Sequence, residues 1–230
     1  MVAPGVTTRQ LDHRAEQIIL GSGGIPLFKN YPNPAGPKHP KFPAVICASV
    51  NEVVVHGIPD DVPLRRGDIV SVDCGVKLDG YVGDAARTLV VGEAQPDIAA
   101  LVEDTRVSLE KGIEQCRVGN RLGDVSHAVQ AYAEPRGYGV VRDYCGHGVG
   151  QEMHEPPQVP NYGKAGRGLR LAAGLCIAIE PMINLGTWQV ETLDDGWSVV
   201  TRDRKPSAHW ENSIAITEEG PVILTAYEPA

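Results

Sequence analysis

Four carboxylates and one imidazole in this 230-residue chain have the chemistry of a metal site. Asp73 and Asp84 lie in SVDCGVKLDGYVGDAART, His147 in YCGHGVG, Glu180 in AIEPM and Glu211 in HWENS. Hard oxygen donors with a single imidazole suit two adjacent divalent cations better than one structural zinc. Two cations bridged by carboxylates can bind and activate one water between them, which is metal-assisted hydrolysis.

Each donor has a local argument and an ordinary alternative. Asp73 and Asp84 straddle the turn at Leu78-Asp79-Gly80. A Leu78-Asp79 loop puts them directly opposite each other; an Asp79-Gly80 loop puts them on a diagonal, still on one face. Like charges so placed are destabilising unless neutralised. Solvated acids on an exposed face would explain a generic hairpin. Here Val72 and Cys74 flank Asp73 in an apolar strand, where aspartate is depleted. His147 sits between Gly146 and Gly148, which permit close backbone approach or positive φ. His56 and His154 could reach the same site. Glu180 ends the apolar run 175–179 before Pro181 and needs a partner, for which a metal or an arginine serves equally. Glu211 alternates with Ser213 and Ala215; taken alone, it reads as a solvent-facing strand residue.

The elements that must position these groups mix helices and strands without strict βαβ alternation, which implies an α+β fold with a largely antiparallel sheet. Thr7 and Gln10 have capping-box spacing ahead of Leu11, Ala15, Ile18 and Ile19 on one helix face. Residues 31–43, YPNPAGPKHPKFP, exclude a regular helix or a central strand and read as an ordered loop over a cleft or a flexible segment. Residues 44–56 read as strand, turn and strand. A hairpin spans 69–76 and 81–91, and two helices follow, marked by Ile98 to Ile113 and Leu122 to Tyr132. Strands are expected at 175–180, 188–193, 197–201 and 209–217.

The formal charge of −8 argues against a nucleic-acid surface. Two divalent cations would bring it to about −4. No apolar stretch approaches ~20 residues, so no membrane span is expected. The opening MVAPGVTTRQLDHRAEQ has no basic start and apolar run, so no secretory signal is expected. Five cysteines (Cys47, Cys74, Cys116, Cys145 and Cys176) form no C-x-x-C pair, which fits a reducing cytoplasm.

Taken together, the segments resemble the type I methionine aminopeptidases of the pita-bread metallopeptidase family. The matching stretches are CASVNEVVVHGIPDD, GDIVSVDCGVKLDGYVGDAART, VVRDYCGHGVGQEMHEPPQV, IAIEPMIN, DDGWSVVTRDRKPSAHWENSIAIT and EEGPVILT, within a span from about Pro4 to Thr225. The resemblance implies a pita-bread fold, with a largely antiparallel sheet covered by helices, in one catalytic domain over residues 1–230. It implies removal of the initiator methionine from nascent chains when the next residue is small, by a hydroxide formed between two metal ions that attacks the first peptide carbonyl. Co, Mn, Fe(II) or Zn would serve.

By position, the resemblance gives Asp73 to the second metal alone, His147 and Glu180 to the first, and Asp84 and Glu211 to both. Glu180 would also accept the water's proton. His56 and His154 would contact substrate, His154 stabilising the oxyanion and His56 the departing amide. Phe42, Cys47, Met153 and Trp197 would line the side-chain pocket with His39 nearby; without the resemblance, each reads as core packing. The carbonyls of Asn51, Val53 and Ser207 match a monovalent-cation site. The expected partners are peptide N-termini and, transiently, the ribosome. The protein is expected to be a monomer.

The sequence departs from the family at Met153, where an aromatic is common, and at His39, where tyrosine is frequent. Only three residues precede Pro4, so the N-terminal helix of the family is expected to be missing, leaving apolar surface on the helical layer. An X-Pro aminopeptidase or prolidase and a non-catalytic pita-bread binding module are the alternatives.

Overall fold

Thr7 and Gln10 close the expected capping box at the start of α1 (Thr8–Gly21): the Gln10 N–H donates to Thr7 Oγ1 and the Thr7 N–H to Gln10 Oε1. In this computed structural model, which describes residues 1–226, α1 lays Leu11 and Ile19 on the strands beneath it. Ile18 does not join that stripe. One position before Ile19, it is turned about 100° round the helix and is 52% exposed.

The hairpin Ile69–Leu78 and Tyr81–Val90 forms the longest strand pair. Its loop is Asp79-Gly80, both in the left-handed region (φ 50° and 86°), as a two-residue type I′ connection requires. The register sets Asp73 opposite Ala86 and Gly75 opposite Asp84. Asp73 and Asp84 are therefore diagonal neighbours on one face. Cys47–Val50 and Ile25–Pro26 pair along the other edge of Ile69–Leu78.

A second, five-stranded sheet runs Gly220–Ile223, Asn212–Thr217, Cys176–Ile179, Gly146–Gly148, Glu155–Val159. Two three-stranded sheets complete the frame: Ser207–His209 with Met182–Asn184 and Gly139–Val140, and Val190–Thr192 with Val199–Thr201 and Val53–Val55. Every named strand pair is antiparallel. Helices α2 (Pro96–Glu114) and α3 (Leu122–Ala133) pack behind the five-stranded sheet, where Leu109, Ile113 and Val125 meet Ile177, Ile179 and Ile214. Burying each of these aliphatic side chains is worth about 1.5–3 kcal/mol. This is the α+β pita-bread architecture that the sequence implies.

The expected strand 209–217 is in fact two. It breaks at Trp210-Glu211, where the Trp210 N–H donates to the Pro181 carbonyl and the Glu211 N–H to the Ala86 carbonyl. The partner segment breaks likewise at Glu180-Pro181. Residues 31–43 form an ordered loop. Backbone bonds join Asn30 and Tyr31 to Phe42 at its base, and Asn33 Nδ2 and Trp197 Nε1 both donate to the Pro40 carbonyl.

Candidate metal centre

The five proposed donors arrive at one cavity from four pieces of chain, each aimed by local geometry. The hairpin supplies Asp73 and Asp84. Ser213 Oγ clamps the Asp84 backbone, accepting its N–H at 3.0 Å and donating to its carbonyl at 2.9 Å. His147 is carried between two glycines that must be glycine. A Cβ at position 146 would lie 2.2 Å from the Ala178 carbonyl oxygen, and one at 148 would lie 2.2 Å from that of Pro156. Glu180 and Glu211 occupy the two strand breaks. Ile179 pairs with Asn212 and Met182 with His209, so the register carried across the break sets Glu180 opposite Glu211. Arg87 fixes that break by donating to the Glu211 carbonyl and to Asn212 Oδ1.

Donor atoms of Asp84, His147 and Glu211 lie within 4.8 Å of one another. His147 Nε2 is 3.5 Å from Asp84 Oδ2 and 3.7 Å from Glu180 Oε1. The His147 Nδ1–H donates to the Gly148 carbonyl at 2.8 Å, which leaves the Nε2 lone pair pointing at two carboxylates. Asp73 Oδ1, Asp84 Oδ1 and Glu211 Oε1 are buried without a hydrogen-bond partner among the described residues. Buried acceptors facing acceptors need a cation or protons between them. Four carboxylates and a correctly tautomerised imidazole fit one or two divalent ions of the Mn, Fe, Co or Zn type.

Burial holds the Asp73, Glu180 and Glu211 carboxyls well above the usual range, and the Asp84 charge adds to it in each case. Groups whose folded pKa is raised contribute stability below their unfolded pKa of about 4 and lose it as the pH climbs through the folded value. His56 is pushed down to about 4, first by burial and then by His154; His209 is pushed down to about 3, first by burial and then by His56 and Arg87. The unfolded imidazoles, with a pKa of about 6.5, are still half protonated at pH 6.5 and lose that charge by pH 8, which adds only about 0.4 kcal/mol each against the carboxyl effect. Chelator-treated protein should therefore melt lower at pH 8 than at pH 6.5. Saturating Mn²⁺ should raise the melting point more at pH 8, because the ligands must be deprotonated to bind. Paired thermal scans check both; equal Mn²⁺ increments at the two pH values would contradict the coupling.

The cavity of about 670 Å³ also gathers His56, His154, Phe42, Cys47, Met153 and Trp197. Phe42 stacks edge-on against Trp197 with centroids 5.2 Å apart. His56 takes φ 58°, a conformation rare for a non-glycine residue and concentrated at functional sites. His154 lies with its ring 4.4 Å from that of His147, and its Nδ1 is 2.7 Å from the Tyr31 hydroxyl.

Tyr31 was not singled out from the sequence. It sits in the proline-rich segment, where no periodicity points a side chain. His39, in the same segment, is exposed and is not part of the cavity wall; Tyr31 supplies the phenol there. Arg87 and His209 were also missed. His209 shares strand parity with Glu211, a signal that could have found it. Asn51 and Ser207 meet directly, the Ser207 N–H donating to the Asn51 carbonyl at 2.9 Å.

A model of metallopeptidase family M24 matches residues 1–218. The methionine aminopeptidase of Clostridium acetobutylicum is 52% identical over 226 residues, covering 98% of this chain and 87% of that protein. Methionine aminopeptidase 1 of Bacillus subtilis is 49% identical over 224 residues, covering 97% of this chain and 87% of that protein. The crystal structure of methionine aminopeptidase from Rickettsia prowazekii matches with a TM-score of 0.92 at 43% identity, covering 98% of this chain and 88% of that one.

Proposed function

The chain belongs to metallopeptidase family M24, and from that premise we propose that it is a metal-dependent aminopeptidase removing the N-terminal methionine from peptides and nascent chains whose second residue is small. The observation that carries this reading is that five metal donors and an apolar, sulfur- and aromatic-lined pocket open on one cavity. Asp84 and Glu211 would bridge two divalent cations, His147 and Glu180 would complete the first and Asp73 the second. Cations held there would acidify a water and polarise the scissile carbonyl.

The remaining roles belong to the chain's own groups. Glu180 accepts the proton of the attacking water. The Tyr31 hydroxyl donates to His154 Nδ1, which keeps the His154 proton on Nε2 for donation to the developing oxyanion. His56, a neutral imidazole, contacts the scissile amide nitrogen as it leaves. The free α-amino group sits beside Asp73, which restricts cleavage to one residue. A methionine side chain packs among Phe42, Cys47, Met153 and Trp197, where thioether–aromatic contacts add about 0.3–1.5 kcal/mol each.

The reading extends to a monovalent cation on the carbonyls of Asn51, Val53 and Ser207. It also extends to a cytoplasmic monomer that meets the ribosome transiently. The five cysteines are unpaired, and no helix among the described residues is long and apolar enough to cross a membrane. Relative kcat/KM on Met-Ala-Ser and Ala-Pro tests the substrate assignment. The expected preference for Met-Ala-Ser is roughly 100-fold or more; preference for Ala-Pro would move the assignment to an X-Pro peptidase.

A further inference from the structure

His209 has none of the roles above, yet its ring faces the same cavity. It is 2% exposed, and its Nε2 has no hydrogen-bond partner among the described residues. Its backbone is fixed from both sides by one hydroxyl: the His209 N–H donates to Thr88 Oγ1, and Thr88 Oγ1 donates to the His209 carbonyl, both at 2.8 Å. A buried ring nitrogen held in place without a partner is costly unless it acquires one.

The acceptor in front of it is Glu180 Oε2, 3.8 Å away. The other oxygen of that carboxylate, Oε1, lies 3.7 Å from His147 Nε2. Glu180 is thus bracketed by two imidazoles, one on each oxygen. Oε1 faces the side where Asp84 also approaches His147. Oε2 faces His209. A carboxylate shift of about 0.5–1 Å would bring the His209 contact into hydrogen-bond range.

We propose that His209 is a positioning residue whose Nε2–H donates to Glu180 Oε2 and so presents Oε1 to a cation beside His147. The proposal rests on the metal-centre reading above. Hydrogen bonds of this kind orient ligands and tune their basicity, and their loss commonly weakens metal binding.

Calorimetric titration of chelator-stripped protein with Mn²⁺ tests it in wild type and in His209→Leu, His209→Asn and His209→Gln. A glutamine amide nitrogen reaches the place of Nε2, whereas that of asparagine reaches only the place of Nδ1. Leu and Asn variants should bind the tighter Mn²⁺ about 10–100-fold more weakly, and the Gln variant within about threefold of wild type, with thermal scans of the metal-free forms confirming folding. Wild-type affinity in both the Leu and Asn variants would overturn the proposal, and so would a Gln variant as weak as Leu. Failure of wild type itself to bind Mn²⁺ would instead overturn the metal centre.

Discussion

Asp84→Ala is expected to lower kcat/KM on Met-Ala-Ser by at least about 10³-fold, a transition-state loss of about 4 kcal/mol, while the metal-free protein melts no lower than wild type. Asp84 is 3% exposed, its Oδ1 has no partner among the described residues, and its Oδ2 faces the unprotonated nitrogen of His147. Its charge helps to push up the Asp73, Glu180 and Glu211 carboxyls. Deleting it relieves that repulsion and opens no packing defect, because the side chain borders the cavity. What is lost is the carboxylate that, in the proposed assignment, joins the His147 side of the centre to the Asp73 side. Retained activity, or collapse of the fold, would contradict the two-metal assignment.

His154→Ala should lower kcat about 10²–10³-fold, the usual consequence of removing one oxyanion donor, with Mn²⁺ stoichiometry unchanged. The two histidine rings meet edge to face, but they differ in what holds them. His147 gives its Nδ1 proton to a backbone carbonyl and turns a bare Nε2 to the carboxylates. His154 Nδ1 lies 2.7 Å from the Tyr31 hydroxyl, which in the proposed role donates to it. Burial, followed by the neighbouring His147, lowers its pKa, so the neutral ring is the working form. Tyr31→Phe should move kcat in the same direction by about 10-fold or less, since one hydrogen bond is worth about 0.5–1.5 kcal/mol net. Loss of bound Mn²⁺ in His154→Ala would make His154 a ligand instead.

The first pair of carboxylates was legible because a hairpin is local. Period-two alternation put Asp73 and Asp84 on one face for either loop, and the left-handed conformations of Asp79 and Gly80 settle the diagonal. The glycines beside His147 were legible for the same kind of reason, as a demand for close backbone approach. Glu180 and Glu211 were each ambiguous. Their opposition comes from the register of two segments far apart in sequence, and both lie where regular pairing stops. An alternation pattern reads straight through such a break, which is why 209–217 reads as one strand. Tyr31 was hidden for another reason. Its place over the cavity depends on backbone bonds that staple Tyr31 to Phe42 and on the Asn33 and Trp197 contacts to Pro40. None of these leaves a local pattern.

The most direct measurement is release of free methionine from Met-Ala-Ser by chelator-stripped protein, with and without added Mn²⁺ or Co²⁺. A cavity in which oxygens of Asp73, Asp84 and Glu211 lack hydrogen-bond partners among the described residues, beside His147 Nε2, should be inert when stripped and should release methionine once either ion is restored. Release that persists in chelator, or folded protein that stays inert with every metal, would contradict it.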